Sequence, residues 1–268
     1  MKCAIIANGD FEYTGAEKES IDRAELIICA DGGARHLKAL NIRPNMLIGD
    51  FDSIQSEDRR FFETERTIII SHPADKDKTD SELCIDWAIQ NKATDISLLG
   101  VIGTRMDHSL TNVYLLIRLA RQGITARIIN SHNEIHIVSD YLELEGQAGD
   151  FLSLVPVSEK VSGITLKGLE YSLNEADMEI GSSLGISNVF RNKEQETGNR
   201  KQDNGNSCLI DLSQKELRAI PEMQTKMTEA KEQLVRYGAA LEKKHKNLRL
   251  RKFAVVALGF ERLWAEEV

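Results

Sequence analysis

The first half of the chain contains four short apolar runs, each ending in a loop of glycine and polar residues before a helical pattern. The runs are Leu26–Ala30, Leu47–Gly49, Thr67–Ile70 and Ile96–Gly100. Such continuous apolar runs are typical of strands buried on both faces, and intervening helices predict an open α/β sheet. In these sheets ligands bind beyond the carboxyl ends of the strands. The sequence therefore predicts a Rossmann-like open sheet over residues 1–138, with the polar loops gathered at one edge.

The loop after the second run contains two carboxylates one residue apart, Asp50 and Asp52. If this segment is extended, side chains two residues apart point to the same side, so the two carboxylates share one surface. Such a pair repels unless a shared proton or a hard cation lies between them, and Mg²⁺ prefers carboxylate and phosphate oxygens. The pair favours a magnesium site for phosphate chemistry. The alternative is an Asx turn formed by Asp52 and Ser53.

A second acidic loop, residues 75–82, follows Thr67–Ile70 and contains both signs of charge. Thr79 and Glu82 have the spacing of a capping box, which places Asp80 in the first helical turn beside free backbone N–H groups. Capping does not explain the remaining charges, which include Asp77 and Lys78, whereas a metal–nucleotide site would use them. A solvated surface loop is the alternative interpretation.

Two further loops have the same form. Asp31-Gly32-Gly33 follows Leu26–Ala30, and paired glycines let backbone amides approach a phosphate or ribose closely. Gly103 to Ser109 follows the fourth run and precedes a helical pattern over Leu110–Arg121. A tight turn explains the glycines equally well, and Thr104 to Asp107 fits a plain helix cap.

Several classes of protein are excluded by the sequence. It has no P-loop, and Asn8-Gly9-Asp10 follows the first strand, Cys3–Ala7, where a dinucleotide-binding protein has Gly-x-Gly-x-x-Gly. The net charge of −8 argues against nucleic acid as a partner. Four scattered cysteines indicate reduced core thiols. Because we find no signal peptide and no apolar stretch of 18 residues, we expect a cytoplasmic protein without membrane contact.

The second half of the chain has a different pattern. The segment from Tyr141 to Phe190 alternates short β-like runs with Gly, Asp and Ser, which predicts a small β domain. Residues 191–207 have the composition of a linker. Residues 191–268 carry 16 Lys and Arg against 12 Asp and Glu, whereas residues 1–190 carry 18 against 30. We expect a β domain over residues 139–212, in which Ser207 to Leu212 adds a strand, and an atypical extension of helix and strand over residues 213–268.

Five motifs, in the same order, resemble those of bacterial thiamine pyrophosphokinases. They are Asp31–Ala34, Ile48–Ser53, Lys76–Glu82, Gly103–His108 and Ser183–Asn188. The resemblance covers residues 1 to about 190 and implies pyrophosphoryl transfer from MgATP to the hydroxyl of thiamine, giving thiamine diphosphate and AMP. It also implies an N-terminal α/β domain, a C-terminal β-sandwich domain and a homodimer with active sites between the subunits.

Roles for individual residues come from this resemblance together with the charges. On this basis we expect Asp50, Asp52 and Asp80 to hold Mg²⁺. We expect Lys78 and Arg105 to offset phosphate charge, and Asp77 or Asp80 to accept the hydroxyl proton. The resemblance assigns the nucleotide to Asp31, Gly32, Gly33, Thr79, Asp107 and His108, and thiamine to Ser187 and Asn188. The alternatives are a solvated Lys78, a structural His108, and a turn at Ser187 and Asn188.

Two other functions stay open at this point. The chain could be a pyrophosphokinase for another hydroxymethyl heterocycle, such as a pterin. It could also be a thiamine or nucleotide binder that lost catalysis with the closing strands of its β domain.

Overall fold

The computed structural model describes residues 1–51, 60–63, 67–73, 75, 77–191 and 206–212, and every structural statement below concerns these residues. The α-helices that lie wholly within these residues are α1 (Gly15–Asp22), α2 (Ala34–Ala39), α3 (Asp80–Gln90) and α4 (Met106–Arg121). The strands of the first half are β1 (Lys2–Ile6), β2 (Leu26–Ala30), β3 (Met46–Gly49), β4 (Ile68–Ser71), β5 (Asp95–Leu99), β6 (Thr125–Ile129) and β7 (Glu134–His136). Those of the second half are β8 (Tyr141–Gly146), β9 (Phe151–Leu152), β10 (Lys160–Lys167), β11 (Leu173–Glu179), β12 (Asn188–Val189) and β13 (Asn206–Leu212).

The first seven strands form one sheet in the order β4-β3-β2-β1-β5-β6-β7. All neighbours are parallel except β6 and β7, which are antiparallel. The chain builds outward from β1 through β2, β3 and β4, and then returns to add β5 on the other side of β1. The predicted open α/β sheet is therefore confirmed, and its order reverses between β1 and β5.

Both faces of this sheet are covered by helices, so neighbouring residues of one strand pack in two different hydrophobic cores. Ile5 packs with residues of α3 and α4, such as Ile85 and Leu116. Ile6 packs on the opposite face, in a core that includes Ile21 of α1 and Leu37 of α2. This alternation explains why the strands read as continuous apolar runs.

The second half forms a four-stranded antiparallel sheet, ordered β11-β10-β13-β8, and a two-stranded ladder of β9 and β12. Strand β13 lies inside the larger sheet, with Leu209 opposite Glu143 of β8 and opposite Lys167 of β10. This agrees with the expectation that Ser207 to Leu212 adds a strand. Cys208 and Ile210 of β13 are buried in the core of the β domain.

Two other expectations concern the cysteines and the C-terminal extension. All four cysteines are buried, as expected for core thiols. The extension over residues 213–268 lies outside the described residues. Among the helices of the described part, none is long and apolar enough to cross a membrane.

Candidate active site

A hydrogen bond joins two of the predicted motifs at the carboxyl edge of the first sheet. The backbone N–H of Phe51 donates to Oδ1 of Asp31 over 3.1 Å, and Asp31 is buried with a φ of 34°. Gly49 makes this approach possible, since a Cβ there would lie 2.7 Å from the Cβ of Asp31. The loops after β2 and β3 are thus held against each other.

The extended-segment argument for Asp50 and Asp52 is wrong. Strand β3 ends at Gly49, and Phe51 has a φ of 64°, in the left-handed region. The backbone turns here because Phe51 points its N–H at Asp31 and buries its ring in the core. Asp50 is half-buried after the strand. Asp52 lies outside the described residues.

The loop before α3 follows the capping prediction. The N-cap residue is Thr79, whose hydroxyl oxygen accepts from the N–H of Glu82 over 3.2 Å. Asp80 is the first residue of the helix and is half-buried, whereas Asp77 is exposed. Capping and a site role are compatible, since the cap uses the Thr79 side chain and leaves Asp80 at the helix start.

Lys78 belongs to a network of ion pairs. Its Nζ lies 2.6 Å from Oδ2 of Asp86 and 3.9 Å from Oε1 of Glu82. Arg118 of α4 also pairs with both acids, at 3.1 Å from Glu82. The hydrogen bond and the charge of Asp86 raise the pKa of Lys78. Burial alone would raise the pKa of Asp86, but the hydrogen bonds from Lys78 and Arg118 outweigh it and hold that pKa below its usual value.

Neither Asp86 nor Arg118 was predicted as a site residue. For Asp86 the signal lay in the spacing, because Lys78, Glu82 and Asp86 follow one another every four residues along the chain. For Arg118, which lies 32 residues beyond Asp86, the sequence carried no such signal. Glu82 and Asp86 therefore hold the Lys78 side chain at the surface of α3, and Arg118 pairs with the same two acids.

The loop before α4 presents Arg105, Asp107 and His108 to solvent. Arg105 and Asp107 form an exposed pair, with Nη2 2.7 Å from Oδ2, and the hydrogen bond from Arg105 lowers the pKa of Asp107 to about 2. Thr104 does not cap the helix as proposed, because the helix begins at Met106 and its N-cap residue is Arg105, which makes no side-chain cap. His108 is exposed, so it is not a buried structural histidine.

Buried polar side chains of α4 hold this loop. The hydroxyl of Ser109 accepts from the N–H of Gly103 over 3.2 Å and donates to the carbonyl of Arg105 over 3.1 Å. Asn112 donates to the carbonyl of Val101 over 2.8 Å. Sequence reasoning did not single out Asn112, because an Asn inside a helix looks like any polar position until its partner is known.

Ser187 and Asn188 lie in the second half of the chain, at the start of β12. Asn188 is buried, and its carboxamide accepts from the N–H of Tyr171 over 2.9 Å and donates to the carbonyl of Tyr171 over 2.6 Å. Ser187 is exposed with a φ of 58°, and its N–H donates to the hydroxyl of Ser153. Asn188 therefore has a structural partner in the folded chain, whereas the hydroxyl of Ser187 faces solvent.

The described residues contain no group of three or more His, Cys, Asp or Glu side chains close enough to hold a metal ion. One of the three predicted ligands, Asp52, is outside this part of the chain. Asp50 and Asp80 remain as half-buried carboxylates at the ends of β3 and at the start of α3.

Two family models match the chain. "Thiamin pyrophosphokinase, catalytic domain" matches residues 18–128, and "Thiamin pyrophosphokinase, vitamin B1 binding domain" matches residues 133–197. Thiamine pyrophosphokinase from Bacillus subtilis (strain 168) is 34% identical over 169 residues, covering 62% of this chain and 79% of the relative. Thiamine pyrophosphokinase 1 from Arabidopsis thaliana is 28% identical over 200 residues, covering 63% of this chain and 73% of the relative.

Solved structures give the same result. The crystal structure of thiamine pyrophosphokinase from Bacillus subtilis aligns with a TM-score of 0.64 at 27% identity, covering 79% of this chain and 94% of that one. The thiamin pyrophosphokinase from Geobacillus thermodenitrificans aligns with a TM-score of 0.62 at 28% identity, covering 80% and 94%.

Proposed function

This chain belongs to the thiamin pyrophosphokinase family and transfers a pyrophosphoryl group from ATP to thiamine, and we propose that the loops beyond β1, β2, β3 and β5 and before α3 form its nucleotide site. The observation that carries this assignment is the hydrogen bond from Phe51 to Asp31. It joins the Asp31-Gly32-Gly33 motif to the Asp50 loop at the edge of the sheet where ligands bind.

In this reaction the hydroxyl oxygen of thiamine attacks the β-phosphorus of ATP. A new O–P bond forms, the bond from the β-phosphorus to the oxygen bridging the α-phosphorus breaks, and AMP leaves with the electron pair of that bond. The hydroxyl proton passes to a carboxylate, Asp77 or Asp80. Catalysis of such transfers consists mostly of alignment and neutralisation of phosphate charge.

Mg²⁺ fits the residues at this edge. Asp50 and Asp80, both half-buried, would supply the carboxylate oxygens that this ion prefers. We assign Asp50, Asp52 and Asp80 as its ligands. The ion, when bound, neutralises charge on the transferring phosphates.

The other residues predicted for the nucleotide site differ in charge, and we assign their roles accordingly. Arg105 is exposed and can offset phosphate charge, and Lys78 can do so after leaving Asp86. Asp31, Gly32, Gly33, Thr79, Asp107 and His108 hold the nucleotide. Asp107 stays ionised at neutral pH because its pKa is about 2, so it acts as a hydrogen-bond acceptor.

The β domain supplies the thiamine side of the site. The hydroxyl of Ser187 is exposed at the start of β12 and can contact the acceptor, while Asn188 holds the Tyr171 backbone beside it. The proposal includes a homodimer with active sites between subunits, and a cytoplasmic location.

The two alternative functions have less support. A pterin pyrophosphokinase would not be expected to match the vitamin-B1-binding model over residues 133–197. The binder hypothesis rested on the loss of the strands that close the β domain. Because β13 lies between β8 and β10 in the sheet of that domain, this reason has less weight.

The test is formation of AMP from ATP that depends on thiamine. The full chain is incubated with MgATP with and without thiamine, and with a hydroxymethyl pterin in place of thiamine. We expect AMP and thiamine diphosphate in equal amounts with thiamine alone. AMP formed with the pterin and not with thiamine would overturn the assignment.

A further inference from the structure

The loop after β1 lies at the point where the order of the large sheet reverses. Strand β1 has β2 on one side and β5 on the other, and the helices that follow β1 and β5 pack on opposite faces of the sheet. Ligands of open α/β sheets bind in the crevice at such a point. Asn8, Gly9 and Asp10 follow β1 there, although they match no nucleotide fingerprint.

Two backbone amides of this loop, those of Gly9 and Asp10, are not available to a phosphate. The N–H of Gly9 donates to the carbonyl of Gly100 over 2.6 Å, and the N–H of Asp10 donates to the carbonyl of Ile102 over 2.8 Å. In a Gly-x-Gly-x-x-Gly loop such amides approach the pyrophosphate. Here they tie the loop after β1 to the loop after β5.

Two side chains of α2 fix the same loop from the other side. Nη2 of Arg35 donates to the carbonyl of Asn8 over 3.0 Å, and Nε2 of His36 lies 3.1 Å from the carbonyl of Gly9. The His36 ring also contacts the ring of Phe11, with centroids 5.1 Å apart. Burial, and then the charge of Arg35, lower the pKa of His36, which favours a neutral ring that donates from Nε2. The backbone position of Asn8 is therefore fixed.

Asn8 is exposed, and its side chain lies against Gly32 of the next loop. A Cβ on Gly32 would lie 2.4 Å from Nδ2 of Asn8. Within the described part of the chain, the Asn8 carboxamide has no hydrogen-bond partner. Asp10, the other exposed side chain of the loop, is an anion and repels phosphate. The loop thus presents one neutral donor beside Gly32, at the carboxyl edge of the sheet.

We propose that Asn8 is a further substrate-binding residue, whose carboxamide N–H donates to the phosphate chain of the nucleotide. The assignment rests on the proposed function for the identity of the nucleotide. It also explains Gly32, since a side chain there would displace the carboxamide from the crevice.

The test measures binding without turnover, so that it is separate from the activity assay. The probe is ATP with a methylene group between the α- and β-phosphorus, titrated in the presence of Mg²⁺ by calorimetry into the wild type, N8A and N8D. We expect the Kd to rise about tenfold in N8A, the loss expected for one hydrogen bond to a charged group, and further in N8D. N174D, at an exposed position on β11, is the matched control and binds as the wild type does.

Wild-type Kd values in both N8A and N8D would overturn the proposal, as would a raised KM for thiamine with unchanged binding of the probe. If N8A melts well below the wild type, N8D carries the comparison, because it keeps the size of the side chain over Gly32. A wild-type chain that binds the probe but forms no AMP contradicts the proposed function and leaves the Asn8 result to be judged separately.

A double variant tests the relation between Asn8 and Gly32. G32A should weaken binding of the probe in the wild-type background, since its methyl group collides with the Asn8 carboxamide. In the N8A background the collision is gone, so G32A should cost much less. The loss that remains in N8A is the part that Gly32 contributes through its own contact with the nucleotide. Equal losses in both backgrounds would show that the two residues are not coupled, and would count against the proposal.

Discussion

Oδ1 of Asp31 lies 3.1 Å from the backbone nitrogen of Phe51, which donates a hydrogen bond to it. This bond crosses from the end of β2 to the loop after β3, between residues twenty positions apart. Both residues have positive φ, so each loop is held in a backbone conformation that residues other than glycine rarely adopt. The bond couples the nucleotide motif to the predicted metal loop.

We expect D31A to destabilise the fold by about 1–3 kcal/mol, because it leaves a buried N–H of Phe51 without its acceptor. D31N keeps an oxygen in that place and should keep most of the stability. Denaturant unfolding of the two variants measures the difference. Equal stability of D31A and the wild type would show that the bond does not hold the loops.

D50N should abolish turnover while the melting temperature stays near that of the wild type, because it removes a charged ligand from a loop at the edge of the sheet. D52N is expected to behave alike. The control is D177N, which alters an exposed carboxylate paired with Lys160 in the β domain. Rates are compared at saturating ATP and low Mg²⁺, where wild-type activity in D50N would reject the metal assignment.

R118A should raise the KM for ATP by up to about fivefold, in line with the modest energy of partly exposed ion pairs. Without Arg118, Glu82 and Asp86 attract Lys78 more strongly and keep it from the phosphates. Adding D86N to R118A should restore the KM. No change in the KM for ATP in K78A would mean that Lys78 does not serve the nucleotide.

N188A should lower the free energy of unfolding by about 1–3 kcal/mol, because the Tyr171 N–H and carbonyl lose their shared partner. We also expect a larger rise in the KM for thiamine than in that for ATP, with thermal unfolding and steady-state kinetics as the two measurements. N174A, an exposed change in the same domain, serves as the control. A proportional rise in both KM values would indicate a general loss of folded enzyme.

A chain cut after Leu212 should remain active, whereas one cut after Phe190 should lose thermal stability and solubility. The shorter chain lacks β13, which pairs with both β8 and β10, so two strand edges and the core around Ile210 are exposed. Melting curves and the soluble fraction after expression test this expectation. Similar behaviour of both chains would mean that the sheet closes without β13.

Local patterns were sufficient to predict much of the fold. The apolar run Leu26–Ala30 is a strand with the same bounds in the structure, and Thr79 caps α3 as its spacing to Glu82 predicts. These features depend on residues that are near each other in sequence. The motif resemblance over residues 1 to about 190 agrees with the family models, the second of which extends to residue 197.

The sequence by itself determined the class of sheet, the family and the acidic and glycine-containing loops, because periodicity and motif order are local properties of the chain. Only the tertiary structure decided how the loops are held. It turned Phe51 toward Asp31, brought Arg118 to Glu82 and Asp86, and set the Asn8 side chain over Gly32. These relationships join positions brought together by the pairing and packing of strands and helices, and no local pattern specifies which distant atoms will meet.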